Sequence, residues 1–204
     1  PSLVLERHPR PYPLPRAVHL DDECLRILQK AGVAEGFARI SRPAPGLRFL
    51  DAQHHPLAEF QRSELVGVHG HPQANLFDQP DLQELLLTAA AREPLIELRV
   101  GVRVTGVDAS GRVHWVSDPK SPTNDAFEHA GVIETNAVVG CDGAGGVVGR
   151  AIGSHPRRLG SDQTWFVADI LGDPPARSWD GVEQICDPDR PATYLRVGER
   201  GFGG

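Results

Sequence analysis

Methionine is absent from the whole 204-residue chain, position 1 included, and the sequence opens on Pro1-Ser2-Leu3-Val4-Leu5-Glu6, which reads as a strand already under way. A piece of a longer protein is the expectation. Cysteine is scarce: Cys24, Cys141 and Cys186 are odd in number and far apart, which argues against a disulfide framework and a cysteine-built zinc site. They read as reduced, mostly buried small residues. No apolar run approaches the ~20 residues that span a bilayer, and no leader of charged, apolar and then small residues opens the chain. A cytoplasmic address without membrane attachment is the default expectation. A basic surplus is lacking too, since 21 Lys and Arg face 27 Asp and Glu for a formal net charge of −6. Nucleic acid and anionic membranes are thereby disfavoured as partners.

What the chain does have is length enough to bury a core and one stretch around which the rest is organised, Asn136 to Arg150 (NAVVGCDGAGGVVGR). The apolar run Ala137 to Val139 meets a cluster of small residues, the pattern of a buried strand turning sharply into a helix. Glycines 143, 145 and 146 remove Cβ atoms where a ligand would approach the backbone, and the helix start would offer free N–H groups to an anion. That is the chemistry of a nucleotide pocket. The same turn also serves α/β proteins as a plain tight connection.

Glu6 closes the opening strand, either as a solvated acid or as the acid that holds a ribose hydroxyl in Rossmann-type folds; no GxGxxG turn precedes it. Prolines 9, 11, 13 and 15 force an extended loop ending at Arg16. Arg16 is a surface cation or a guanidinium held near an anionic or flavin-like group. A helix of about ten residues follows, capped by Asp21, with Leu25, Leu28 and Ala31 on one face and Gly32 as its stop. Gly46 to Gln61 reads as a hairpin around the polar loop Asp51 to Pro56. Histidines 54, 55, 69 and 71 lie in loop-like sequence without carboxylates at ligand spacing, so no metal site is expected.

The clearest helix is Gln79 to Arg92, with Pro80 suited to its first turn and Leu82, Leu85, Leu86 and Ala89 at core spacing. Gln79 at its mouth is either a capping side chain or a polar contact to a cofactor. Ile96–Val100, Val102–Ala109, Val113–Val116 and Val132–Glu134 read as a meander feeding the 136–150 turn, with a mobile polar loop from Asp118 to Asp125. Further strands are expected over Thr164–Ile170, Val182–Ile185 and Thr193–Val197. The layout is mixed α/β with a β-rich second layer and no internal repeat.

Five segments in this order resemble the FAD-dependent aromatic-ring hydroxylases (class A flavoprotein monooxygenases): LPRAVHLDDE from Leu14, QPDL from Gln79, VGCDGA from Val139, WFVADI from Trp165 and CDPDRP from Cys186. Within that family the likeness is to the branch acting on 3-(3-hydroxyphenyl)propionate. The resemblance implies a partial Rossmann-like FAD-binding domain (1–45 and 79–156) interleaved with a β-rich substrate domain (46–78 and an incomplete 157–204). It implies that Glu6 holds the adenosine ribose, that Arg16 lies beside the flavin, and that Gln79, Asp142 and Gly143 contact the FAD. It also implies a phenolic aromatic substrate, O2, and NAD(P)H as co-substrate.

Three departures accompany the resemblance. The family's Gly-rich pyrophosphate turn would precede residue 1, and its later Gly-Asp motif would follow Gly204. Within the Asp-Gly motif, a customary serine and arginine are here Gly146 and Gly149, so that either Arg150 supports the turn or the support is lost. An inactive fragment, or another flavin-dependent oxidoreductase or halogenase on the same fold, is the alternative, since fold alone does not choose the chemistry.

Overall fold

The computed structural model describes the chain except residues 15, 63–65, 118–128, 158, 161–163, 173–178, 198–200 and 204, with backbone alone for 171 and 201–203. The polar loop expected from Asp118 to Asp125 lies outside the described residues. In chain order the elements are β1 (Ser2–Glu6), β2 (His19–Asp21), α1 (Asp22–Lys30), α2 (Ala34–Ile40), β3 (Ser41–Pro43), β4 (Gly46–Leu50), β5 (Pro56–Gln61), β6 (Ala74–Phe77) and α3 (Gln79–Arg92). The second half adds β7 (Ile96–Val100), β8 (Val102–Val107), β9 (Val113–Ser117), β10 (Ala130–Ile133), α4 (Val147–Ala151), β11 (Asp169–Leu171), β12 (Val182–Ile185), β13 (Ala192–Val197) and β14 (Gly201–Gly203). They gather into two compact units, residues 1–12 with 90–163 and residues 13–89 with 164–204. The mixed α/β class expected from the sequence is what the chain adopts.

In the first unit β1 and β7 pair in parallel, Ser2 opposite Ile96 through Glu6 opposite Val100. β8, β9 and β10 form an antiparallel meander. The expected four-strand meander is thus three strands, because β7 gives its ladder to β1. Ala137–Val139 is not a strand. Val139 is 83% exposed, and no described strand pairs with the run; an apolar stretch becomes a strand only where a neighbour supplies ladder partners.

In the second unit α1, α2 and α3 enclose a core of Leu25, Leu28, Val33, Phe37 and Phe77, with Leu82, Leu85 and Ala89 of α3 packed against it. Leu86, expected on the same face, is 39% exposed. Asp21 caps α1 as its sequence suggests: its Oδ1 accepts from Cys24 N at 2.9 Å. Backbone hydrogen bonding from Cys24 holds the Asp21 carboxyl below the usual carboxylate range. Gly32 follows at φ 74, where a side chain would be strained. Ala31 serves as the C-cap and is exposed rather than core-facing.

Two sheets complete this unit, β2-β6-β3 and β11-β14-β13-β12-β4-β5. β4 pairs in parallel with β12 and antiparallel with β5, the hairpin legible in the sequence. Of the strand expected over Thr164–Ile170 only β11 forms, paired with β14. Trp165, Phe166 and Val167 stand 69%, 88% and 68% exposed before it. The cysteines also differ from expectation, since Cys141 and Cys186 are exposed and Cys24 half-buried.

At the start of β4 a Cβ on Gly46 would overlap the Phe60 carbonyl oxygen and lie 3.2 Å from Gln61 Cα. Backbone atoms cannot swing aside, so Gly46→Ala is expected to spread the β4–β5 pair and cost about 1–3 kcal/mol. Thermal unfolding checks this; an unchanged melting temperature would mean that the hairpin yields freely.

Candidate functional site

The second unit places Gln79 and Arg16 together. The Gln79 amide oxygen accepts from Arg16 N at 2.7 Å and from Ala17 N at 2.8 Å. Two N–H donors on one atom fix which end of the amide faces the loop, leaving its NH2 donors for other partners. Gln79 is therefore a clamp on the backbone of the arginine loop, a role between the two readings its sequence position left open. Neighbouring Asp78 was not singled out from the sequence. Burial foremost, then the carboxylates of Asp81 and Asp169, push its carboxyl up. Its Oδ1 is buried without a hydrogen-bond partner among the described residues.

The first unit carries Glu6, Asp142 and Gly143. Glu6 ends β1, exposed, and its Oε1 accepts from His8 N at 2.7 Å. Gly143 has φ 79 and nothing within 4 Å of a Cβ built on it. Asp142 Oδ2 accepts from Val147 N at 2.5 Å and Val148 N at 3.2 Å. Those bonds, Val148 foremost, hold its carboxyl below the usual carboxylate range, and the Arg150 guanidinium adds to the effect. This corrects one expectation: the Val147 and Val148 N–H groups at the start of α4 are not free for an anion, because Asp142 has them. Arg150 Nη1 donates to the Gly145 carbonyl. Of the two outcomes left open for this turn, support from Arg150 is the one observed.

Two of the four loop histidines, His55 and His71, bond polar side chains through a ring nitrogen. His55 Nδ1 is 3.2 Å from Asp51 Oδ2, and His71 Nε2 is 3.0 Å from Gln29 Oε1. No group of three or more His, Cys, Asp or Glu side chains is arranged to hold a metal ion among the described residues. Among the same residues, no helix is long and apolar enough to cross a membrane.

Comparison with known proteins adds names to this geometry. A probable NADH-specific resorcinol 4-hydroxylase from Rhodococcus jostii is 30% identical over 97% of this chain and 36% of its own length. A 3-(3-hydroxy-phenyl)propionate/3-hydroxycinnamic acid hydroxylase from Mycobacterium avium is 32% identical over 96% of this chain and 34% of its own. The chain thus spans about a third of the length of the curated relatives it matches. Among solved structures, p-nitrophenol 4-monooxygenase from Pseudomonas putida superposes with TM-score 0.77 at 17% identity, over 98% of this chain and 50% of that one. Aklavinone-11 hydroxylase, in a complex with FAD and aklavinone, gives TM-score 0.70 at 18% identity, over 98% of this chain and 40% of that one. These structural likenesses establish the fold. Residues 1–192 match the family model described as the FAD binding domain, and the chain belongs to that family.

Proposed function

We propose that the chain is the cofactor-binding portion of a longer flavin-dependent monooxygenase that hydroxylates a phenolic aromatic acid with NAD(P)H and O2. The observation that carries this reading is the clamp at Gln79, which holds the proline-stiffened arginine loop against the start of α3 through two backbone bonds. The residues present fit FAD. An exposed carboxylate at the C-terminal end of a parallel strand, Glu6, offers acceptors to a ribose diol. Arg16 brings guanidinium donors, and Gly143 leaves open space where a side chain would stand. When bound, FAD supplies the oxygen-transfer chemistry. The chain's own residues would bind and orient it.

The strands of the six-stranded sheet come from residues 46–78 and 157–204, which favours assigning those segments to the substrate side and 1–45 with 79–156 to the FAD side, although β6 of the first segment pairs with β2 and β3. The relatives named for resorcinol and for 3-(3-hydroxy-phenyl)propionate support a phenol as substrate. Dependence on NAD(P)H fits a cytoplasmic address.

The test is Arg16→Ala in the full-length enzyme. A charged hydrogen-bond donor is worth about 1.5–3 kcal/mol, so FAD affinity or the rate of flavin reduction is expected to fall roughly 10–150-fold with the fold intact. Flavin content after desalting and stopped-flow reduction measure it. Unchanged flavin content and reduction rate would return Arg16 to an ordinary surface residue and remove the arginine from the cofactor site.

A further inference from the structure

Asp142 and Gly146 each have a feature that the other explains. Gly146 occupies the N-cap of α4 with φ −62 and ψ 156, a conformation open to any residue, so backbone freedom is not what a glycine supplies here. It is buried, and a Cβ built on it would run into the Oδ1, Cγ and Oδ2 atoms of Asp142. Without a side chain it makes no cap bond of its own. The first two N–H groups of α4, those of Val147 and Val148, go instead to Asp142 Oδ2.

We propose that Asp142 is the cap of α4, supplied from four residues upstream of the usual capping position, and that Gly146 is a glycine because the Asp142 carboxylate fills the space of its side chain. The two act as one positioning unit for the turn. Gly146 N donates to Gly143 O at 3.0 Å, closing the loop that carries the carboxylate back over the helix start. Arg150 Nη1, from the last turn of α4, holds Gly145 O. A side chain at 146 and a carboxylate at 142 are therefore alternative caps competing for one volume. This holds whatever the turn faces. Under the flavin reading it makes Asp142 a residue that acts through α4.

A double-mutant cycle in the full-length enzyme tests the coupling, read by hydrogen exchange and mass spectrometry of peptides covering 142–150. Asp142→Ala and Gly146→Ala are each expected to speed exchange of the amides at the start of α4 roughly 5–30-fold, the loss of one helix cap. Gly146→Ala added to Asp142→Ala should change nothing further. Asp142→Ala with Gly146→Ser should restore slow exchange, because serine at the N-cap is itself a capping residue. Asp142→Asn, which keeps an acceptor oxygen, should stay within about threefold of the parent, asparagine and aspartate being near-equal caps. Equal effects of Gly146→Ala in both backgrounds, failure of Gly146→Ser to rescue, or Asp142→Asn behaving like Asp142→Ala would each overturn the proposal. Because the readout is the helix amides, it stands or falls separately from FAD binding.

Discussion

Replacing Phe37 by alanine is expected to cost about 3–5 kcal/mol of stability, the range for emptying a fully buried aromatic site. Phe37 is 0% exposed and meets Phe77 edge-on, ring centroids 5.4 Å apart at 64°. Leu25, Leu28 and Val33 share that core, and their backbones are fixed by α1 and the turn after it, so the cavity has little room to collapse. Against a total stability of about 5–15 kcal/mol, that is about a fifth or more of the whole. Urea unfolding should show a lower midpoint with an unchanged slope. A loss under about 1 kcal/mol would mean that the three helices are not organised around this ring.

The second large effect concerns flavin. Purified alone, residues 1–204 are expected to lose FAD on desalting and to show no phenol-stimulated NAD(P)H consumption. The sequence contains no GxGxxG turn, and the N–H groups at the start of α4 already belong to Asp142. The backbone donors that such a turn aims at a pyrophosphate are therefore missing from the isolated stretch, and α4 does not replace them. Two missing charge-assisted contacts of roughly 1.5–3 kcal/mol each weaken binding by about two to four orders of magnitude relative to the full-length enzyme. The visible spectrum after desalting, followed by an assay with a 3-hydroxyphenyl acid, decides it. A yellow protein that turns over the phenol would show that this stretch is self-sufficient.

Legibility from the sequence followed the range of the interactions. The Asp21 cap, the stop at Gly32, the long periodicity of α3 and the hairpin around Asp51 depend on neighbours a few residues away, and each was readable. α2 was not. Its seven residues are too few for periodicity and include Gly36, whose missing Cβ makes room for the Leu85 side chain of α3. β6 hid for a related reason: all four residues are buried, so no alternation marks it. Asn75 within it is tolerated because its amide donates to the carbonyls of Leu20 and Pro72.

At the site, the Asp-Gly pair and the arginine loop were visible as residue types. What they bond to was not, since Gln79 reaches Arg16 across 63 positions. The opposite error arose at Ala137–Val139 and Trp165–Val167, where apolar composition suggested strands that no ladder among the described residues completes.

The parallel seam between β4 and β12 joins Leu47 to Val182, which sets an order of events as the polypeptide is made. Synthesis at about 5–20 residues per second leaves roughly 7–27 s between the appearance of those two partners. The β4–β5 hairpin can close within microseconds of its own completion. For the rest of that interval β4 has one edge of its backbone unpaired, with Leu47 and Phe49 beside it, an invitation to pair with another nascent copy. Faster elongation or a lower temperature after induction should therefore act on the soluble yield of this protein through this seam, independently of how stable the finished fold is.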